Sequence, residues 1–417
     1  MEPEPVARDR RWTLVAVCTT TFMLLLDITV VVVALPNIQK DLHASLTGLQ
    51  WVVDAYSLTL AALILTAGAL SDRYGRRLIF IVGVVAFTLS SLLCGVAWNI
   101  AVLDVARGLQ GVGGAALFAT ALALIGAEYS GADLGGAIAA WGATIGVAVA
   151  SGPLVGGIIT DALGWRWVFF VNIPVGIFAL WVALTRMGES RDPQATRTDL
   201  AGLVTFSASL FLIVFGVLRG NAEGWSSALI LGSLIGGAVL LVVFVLVEHR
   251  QARPMLDLNL FRSRVFVGVS LATFCIGAGM FALFPYLSIY LQDVLGYSPL
   301  EAGLRFLPLT VFVFVVPLLM RKLAPGASLR LVLTVGLVLV AAALLLMHGL
   351  TPSSRWTALL PGFIVAGIGI GLANPTIAAA ALRAVDPSRT GMASGINNAC
   401  RLTGVAVGVA ALGAVLE

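Results

Sequence analysis

Charge is what this sequence has least of: only 11% of its 417 residues are Asp, Glu, Lys or Arg, against 59% that are hydrophobic. A chain of this length with so little charge cannot give itself a water-facing surface, so the soluble enzyme and soluble binding-domain classes drop out. Histidine is scarce as well. His43, His249 and His348 stand apart near the ends of apolar runs, which offers no metal site and no catalytic cluster. The four cysteines, Cys18, Cys94, Cys275 and Cys400, all fall inside apolar runs and lack ligand spacing, which argues against disulfide and metal frameworks. No Gly-x-x-x-x-Gly-Lys-Ser/Thr loop occurs and no polar stretch is long enough for a nucleotide domain, so neither ATP nor any other cofactor is implied. Without a clustered catalytic set, the chain is not expected to be an enzyme.

What the sequence has in abundance is apolar runs of membrane-crossing length, separated by short polar turns. They lie at about 12–35, 48–70, 78–97, 100–123, 134–159, 165–184, 199–218, 226–247, 264–290, 299–319, 327–349, 356–382 and 391–416, thirteen in all. The fold class expected is an all-α polytopic membrane protein. The first run is too long for a signal-peptide core and has no small-residue cleavage site, so it is retained. With the N-terminus placed in the cytoplasm, only Lys40, Arg166, Arg219 and Arg355 fall outside, whereas arginines crowd the loops at 73–77, 186–197, 250–264 and 321–330. That asymmetry fixes the orientation in the cell membrane.

The junction Ile38-Gln39, Leu42, Ser45, Gly48-Leu49 reappears as Leu291-Gln292, Leu295, Ser298, Gly303-Leu304. The repetition implies two halves of like topology beginning at spans 1 and 9. The chain then divides into a cytoplasmic tail at 1–11, an N-terminal half at 12–185 holding spans 1–6, an inserted pair of spans at 186–250, and a C-terminal half at 251–417. Five spans in the last part, where the repeat calls for six, lead to the expectation of a fourteenth helix beyond Glu417.

Within the first run stands Asp27. A carboxylate at bilayer depth is costly and faces a protein interior or a wet cavity, where it can take up protons. Asp27 is therefore the first candidate site, as a proton or cation group; a static alternative is a protonated Asp bonded to a neighbour such as Thr29. Arg107 lies about two turns inside span 4 and cannot give up its charge, so it needs a partner. Asp104, three residues earlier on the same helical face, could neutralise it.

The loop Gly68-Ala69-Leu70-Ser71-Asp72-Arg73-Tyr74-Gly75-Arg76-Arg77 resembles the Gly-x-Leu-x-Asp-Arg-x-Gly-Arg-Arg pattern between spans 2 and 3 of the major facilitator superfamily. Three more stretches look like the fourteen-span drug/proton antiporters of that superfamily. One is Leu26-Asp27-Ile28-Thr29-Val30-Val31 leading to Ala34-Leu35-Pro36, and another is Arg107-Gly108-Leu109-Gln110-Gly111-Val112-Gly113. The third is Gly146, Gly152-Pro153 and Gly156-Gly157, followed by Gly164-Trp165-Arg166-Trp167 and Asn172-Ile173-Pro174. The chain departs from that pattern at Val32, where the family has Asn, and in the loop near Arg321 to Arg330, which has no acid.

The resemblance implies two pseudo-symmetric six-helix bundles, a proton-coupling role for Asp27 and Arg107, and a cytoplasmic gate made by Gly68, Asp72, Arg73, Gly75, Arg76 and Arg77. In that gate Asp72 lies against the start of span 13 near Gly391. It also implies an antiporter interface at Gly146, Gly152, Pro153, Gly156 and Gly157, although glycines there also serve plain helix packing. Asn397, Asn398 and Arg401 in span 13 either line the cavity or join helices. The function implied is proton-coupled efflux of small amphipathic or cationic compounds by alternating access, by a monomer powered by the proton gradient. A dedicated exporter of one metabolite or self-made antibiotic would share every motif. A non-transporting receptor is the remaining alternative.

Overall fold

Helix starts are written locally into this chain. The computed structural model describes residues 10–129, 131–191, 200–251, 258–323, 327–384 and 390–416; the arginines predicted to mark the cytoplasmic side at 8, 197, 253 and 389 lie outside them. α1 (Arg10–Leu42) is followed by α2 (Leu46–Tyr74), capped by Ser45, whose hydroxyl accepts from the Gly48 N–H. α3 (Arg76–Gly95) leads to α4 (Ile100–Glu128), capped in the same way by Asn99 onto Val102. These side chains satisfy N–H groups that a helix's first turn leaves unpaired. α5 (Gly131–Leu163) is followed by a broken span made of α6 (Trp167–Phe170) and α7 (Asn172–Thr185). α8 (Leu200–Glu223) and α9 (Ala228–Arg250) form a hairpin.

The next crossing is composite. α10 (Arg264–Gly279) gives way to a 3-10 turn at Phe281–Leu283, then α11 (Phe284–Ile289), then a π-turn at Tyr290–Val294. The chain ends with α12 (Pro299–Leu323), α13 (Leu329–Leu346), α14 (Leu360–Arg383) and α15 (Thr390–Leu416). Where the sequence predicts thirteen spans, ten helical stretches among the described residues are long and apolar enough to cross a membrane. Large apolar side chains such as Trp98, Val105, Leu271 and Leu345 face outward. In a membrane protein such side chains meet lipid, because hydrophobicity does not drive them inward there.

The pairing of helices repeats. α1 packs along α5, α2 on α4 and α3 on α4; likewise α10 packs along α15, α12 on α14 and α13 on α14. Ser298, which the sequence repeat aligns with Ser45, also caps its helix: its hydroxyl accepts from the Glu301 N–H at 3.2 Å, and Glu301 Oε2 accepts from the Ser298 N–H at 2.9 Å. Two seams join the repeated sets, α5 with α12 and α2 with α15, and α8 rests against both α2 and α15.

Candidate functional site

Asp27 faces inward from α1 and is 2% exposed. An ionised carboxylate so placed needs donors, and the surrounding helices supply them. Arg107 Nη1 donates to Oδ2, while Oδ1 accepts from Gln110 Nε2 at 3.0 Å and Asn172 Nδ2 at 2.8 Å. Both amides also reach Ser91 Oγ, at 3.2 and 3.0 Å, and Ser91 in turn donates to the Phe169 carbonyl at 2.9 Å. Arg107 is completed by Nε donating to the Val52 carbonyl at 2.9 Å and Nη1 to Gln110 Oε1 at 2.7 Å. Its guanidinium lies 4.3 Å above the Tyr56 ring, a cation–π contact that suits a desolvated arginine. Every helix from α1 to α7 except α5 contributes an atom to this junction. Arg107, Gln110, Ser91 and Asn172 are all buried.

The structure therefore pairs Arg107 with Asp27 rather than Asp104, whose Oδ1 is buried without a partner. The local i, i+3 alternative fails because Arg107 turns toward α1 and α2. Nor does Thr29 serve Asp27. Its hydroxyl donates back to the Leu25 and Leu26 carbonyls at 3.2 and 3.0 Å. Of the residues that complete the cage, Gln110 and Asn172 stand in quoted motifs with no role assigned to them, and Ser91 carries no sequence signal at all.

Two cavities flank the same helix. One is lined by Thr29, Val32 and Val33 of α1, Pro153 of α5, and Phe284 and Phe306 across from them. The other, smaller one lies against Leu24, Leu25 and Ile28 of α1, with Phe118, Asn398 and Arg401 among its walls. Asp27 opens into neither, but it sits within a residue or two of these positions on α1. Asn397 joins two helices: Nδ2 donates to Thr273 Oγ1 of α10 at 2.9 Å.

At the end of the bundle where α1 finishes, the seams are closed. Gln292 Nε2 donates to the Val33 carbonyl at 2.8 Å, Lys40 pairs with Asp293 at 3.0 Å, and Gln50 Nε2 donates to Tyr286 Oη at 3.0 Å. The glycines of α5 divide their work. A Cβ on Gly152 would fall 1.8 Å from Thr29 Oγ1, and one on Gly156 would fall 2.9 Å from the Val30 carbonyl, so both seat α1. Gly157 meets the Pro299 carbonyl across the seam to α12, and Gly303 of α12 meets that of Pro153. Gly146 lies within α5.

At the opposite end, Asp72 is 42% exposed and pairs with Arg76 one helical turn on, at 3.2 Å. The backbone of Gly75 has φ 121°, a conformation open to glycine and strained for other residues. It links α2 directly to α3. The first turn of α3 is capped from afar: Glu189 carboxylate oxygens accept from the Arg77 and Leu78 N–H groups at 3.1 and 3.2 Å. Arg77 reciprocates, donating to the Ala183 and Leu184 carbonyls that end α7, both at 2.8 Å. Arg73 stacks on Tyr74, and Gly68 has open space beside it. Gly391 is the second residue of α15, but the side chains of 390–395 and residues 385–389 lie outside the described part, and with them the expected seat for Asp72.

Asp54 stands near the start of α2, where an acid would suit the helix N-terminus, but Ser45 holds that role. Asp54 lies two turns in, fully buried, and neither carboxylate oxygen has a hydrogen-bond partner. Asp54→Leu removes this unsatisfied group and is expected to stabilise the fold by about 1–3 kcal/mol. Thermal unfolding in detergent checks it by a higher midpoint, and a lower midpoint would contradict it.

Residues 17–409 match the Major Facilitator Superfamily. The chain is 39% identical over 414 residues, 98% of this chain and 76% of the other, to "Multidrug resistance protein Stp" of Mycobacterium tuberculosis. It is 34% identical, over 99% of its own length and 77% of the relative's, to the "Tetracenomycin C resistance and export protein" of Streptomyces glaucescens. Among solved structures, that of the human organic anion transporter MFSD10 (TETRAN) superposes with a TM-score of 0.69 at 17% identity, covering 97% of this chain and 93% of that one. At that identity the likeness shows an all-helical fold alone; the ten long apolar stretches and the family match mark a multi-pass membrane protein.

Proposed function

This chain belongs to the Major Facilitator Superfamily, and from that membership we propose that it exports small amphipathic compounds in exchange for protons by alternating access. The observation that carries the reading is the Asp27–Arg107 pair. It is a sealed charge switch on the very helix whose neighbouring residues line both cavities. Protonation of Asp27 removes the counter-charge of Arg107, frees Gln110 and Asn172 from a carboxylate, and so loosens α1 from α3, α4 and α7. Deprotonation restores the cage. A switch that biases a two-state bundle in this way couples a proton to the exposure of the cavity.

The same reading covers the finer points. The sequence count of thirteen spans adds α5, α8 and α15 to the ten apolar stretches; at 33, 24 and 27 residues they are long enough to cross a bilayer. The fourteen-span subtype belongs to it too. So do the two halves at 12–185 and 251–417 and the inserted pair at 186–250, which the repeated helix pairings support. The arginine-rich α2–α3 end then faces the cytoplasm of a plasma-membrane monomer, and the closed seams face outside. Asp72 would leave Arg76 and seat against α15 when that outer end opens. A dedicated exporter of one metabolite is the second reading, favoured by relatives named for a single compound.

In proteoliposomes with an imposed pH gradient, a fluorescent aromatic dye is expected to move against its own gradient and to stop when a protonophore is added. Dye movement indifferent to the gradient would sink the proton-coupled reading.

A further inference from the structure

The two cavities have no carboxylate among their lining residues, and the one ionisable side chain that reaches them is Arg401. Asp27 is already neutralised by Arg107 and walled off behind three donors. Asp54 is turned another way: Gln50 on one side of it packs on α15 at Gly413, and Leu58 on the other meets Val214 of α8. Arg401 makes one described hydrogen bond, from Nη2 to Asn398 Oδ1 at 2.8 Å. It lies within ion-pair distance of no acid among the described residues.

A guanidinium has five N–H groups, keeps its charge and presents a planar fork that matches a carboxylate. Held at membrane depth beside Leu24, Leu25, Ile28 and Phe118, it lacks the counter-charge such a position calls for. Resting on the export reading above, we propose that Arg401 is the recognition group for the cargo, and that the cargo is a small apolar or aromatic molecule carrying an acidic oxygen, a carboxylate above all. The acid closes the fork of Arg401, and the ring system fills the apolar wall opposite. Asn398 holds the guanidinium in place from one helical turn away. A cationic cargo meets the reverse situation, a fixed like charge in a cavity without an acid, which repels it.

Three probes of one shape separate the possibilities: pyrene-1-carboxylate, pyrene-1-methanol and pyrene-1-methylammonium. Equilibrium binding to the purified full chain is followed by pyrene fluorescence. The carboxylate is expected to bind at least tenfold tighter than the alcohol and the ammonium weakest. Arg401→Gln should bring the carboxylate-to-alcohol ratio near one, and Arg401→Lys, which keeps the charge but loses the fork, should leave an intermediate ratio. Equal or reversed preference in the parent, no binding of any probe, or an unchanged ratio in Arg401→Gln overturns the proposal. Transport of the same probes in proteoliposomes tells its failure from that of the export reading. Carboxylate binding through Arg401 without pumping defeats the export reading alone, and pumping without charge preference defeats the anion site alone.

Discussion

Asp27→Asn is expected to lower pH-driven export by about a hundredfold or more, because removing one partner of a buried pair costs about 3–5 kcal/mol and each 1.4 kcal/mol is tenfold. Asparagine preserves the shape of the side chain and can still accept from Gln110 and Asn172. What it cannot do is carry a negative charge in one state and a proton in the other. Its amide nitrogen also turns a donor toward Arg107, whose guanidinium then has no counter-charge within the junction. Two effects follow on different readouts. The detergent melting midpoint falls, and any remaining cargo movement runs only down the cargo's own gradient, without response to pH. If Asp27→Asn still pumps against a gradient at the parental rate, the pair is a structural brace and not a switch.

Gly303→Val should produce the next largest loss, by a different route. A Cβ at Gly303 would lie 2.4 Å from the Pro153 carbonyl oxygen, and Pro153 is backbone that the rest of α5 holds in place. Nothing flexible is there to give way. The seam between α5 and α12 must part, opening the end of the bundle that Lys40–Asp293 and Gln292 now hold shut. Overpacking of this kind costs about 1–3 kcal/mol, enough to move a two-state equilibrium roughly five- to a hundredfold toward the open form. A membrane-impermeant maleimide added from outside should label Thr310→Cys, which lines the larger cavity, about tenfold faster in the Gly303→Val background, with export falling to match. Unchanged labelling would show that α5 and α12 are not the moving seam.

Much of the site was legible because the membrane makes charge conspicuous. Asp27 and Arg107 stand out on solvation grounds alone, and Gly75 stands out because a turn between two abutting helices calls for a glycine. What the sequence could not supply was partners. Asp104 looked right for Arg107 because it is one turn away, but the true partner is 80 residues distant on α1. Ser91 and Asn172 are ordinary residues of an apolar helix and of a helix start until α3 and α7 are folded against α1. Glu189 caps α3 from 112 residues on, with no local signal to show it.

The fold was legible at the level of the repeat. Ser45 and Ser298 fill the same capping role at the positions the repeat aligns. The division of α5 glycines between α1 and α12 was not, since small residues mark close contact without naming the neighbour.

The account stands on cargo movement and proton movement being tied through one carboxylate, Asp27. The direct measurement drives cargo through proteoliposomes down a cargo gradient, in weak buffer, and counts the protons moved the other way. The parent chain should move about one proton per cargo and Asp27→Asn none; equal proton movement by both would show that the proton is carried elsewhere.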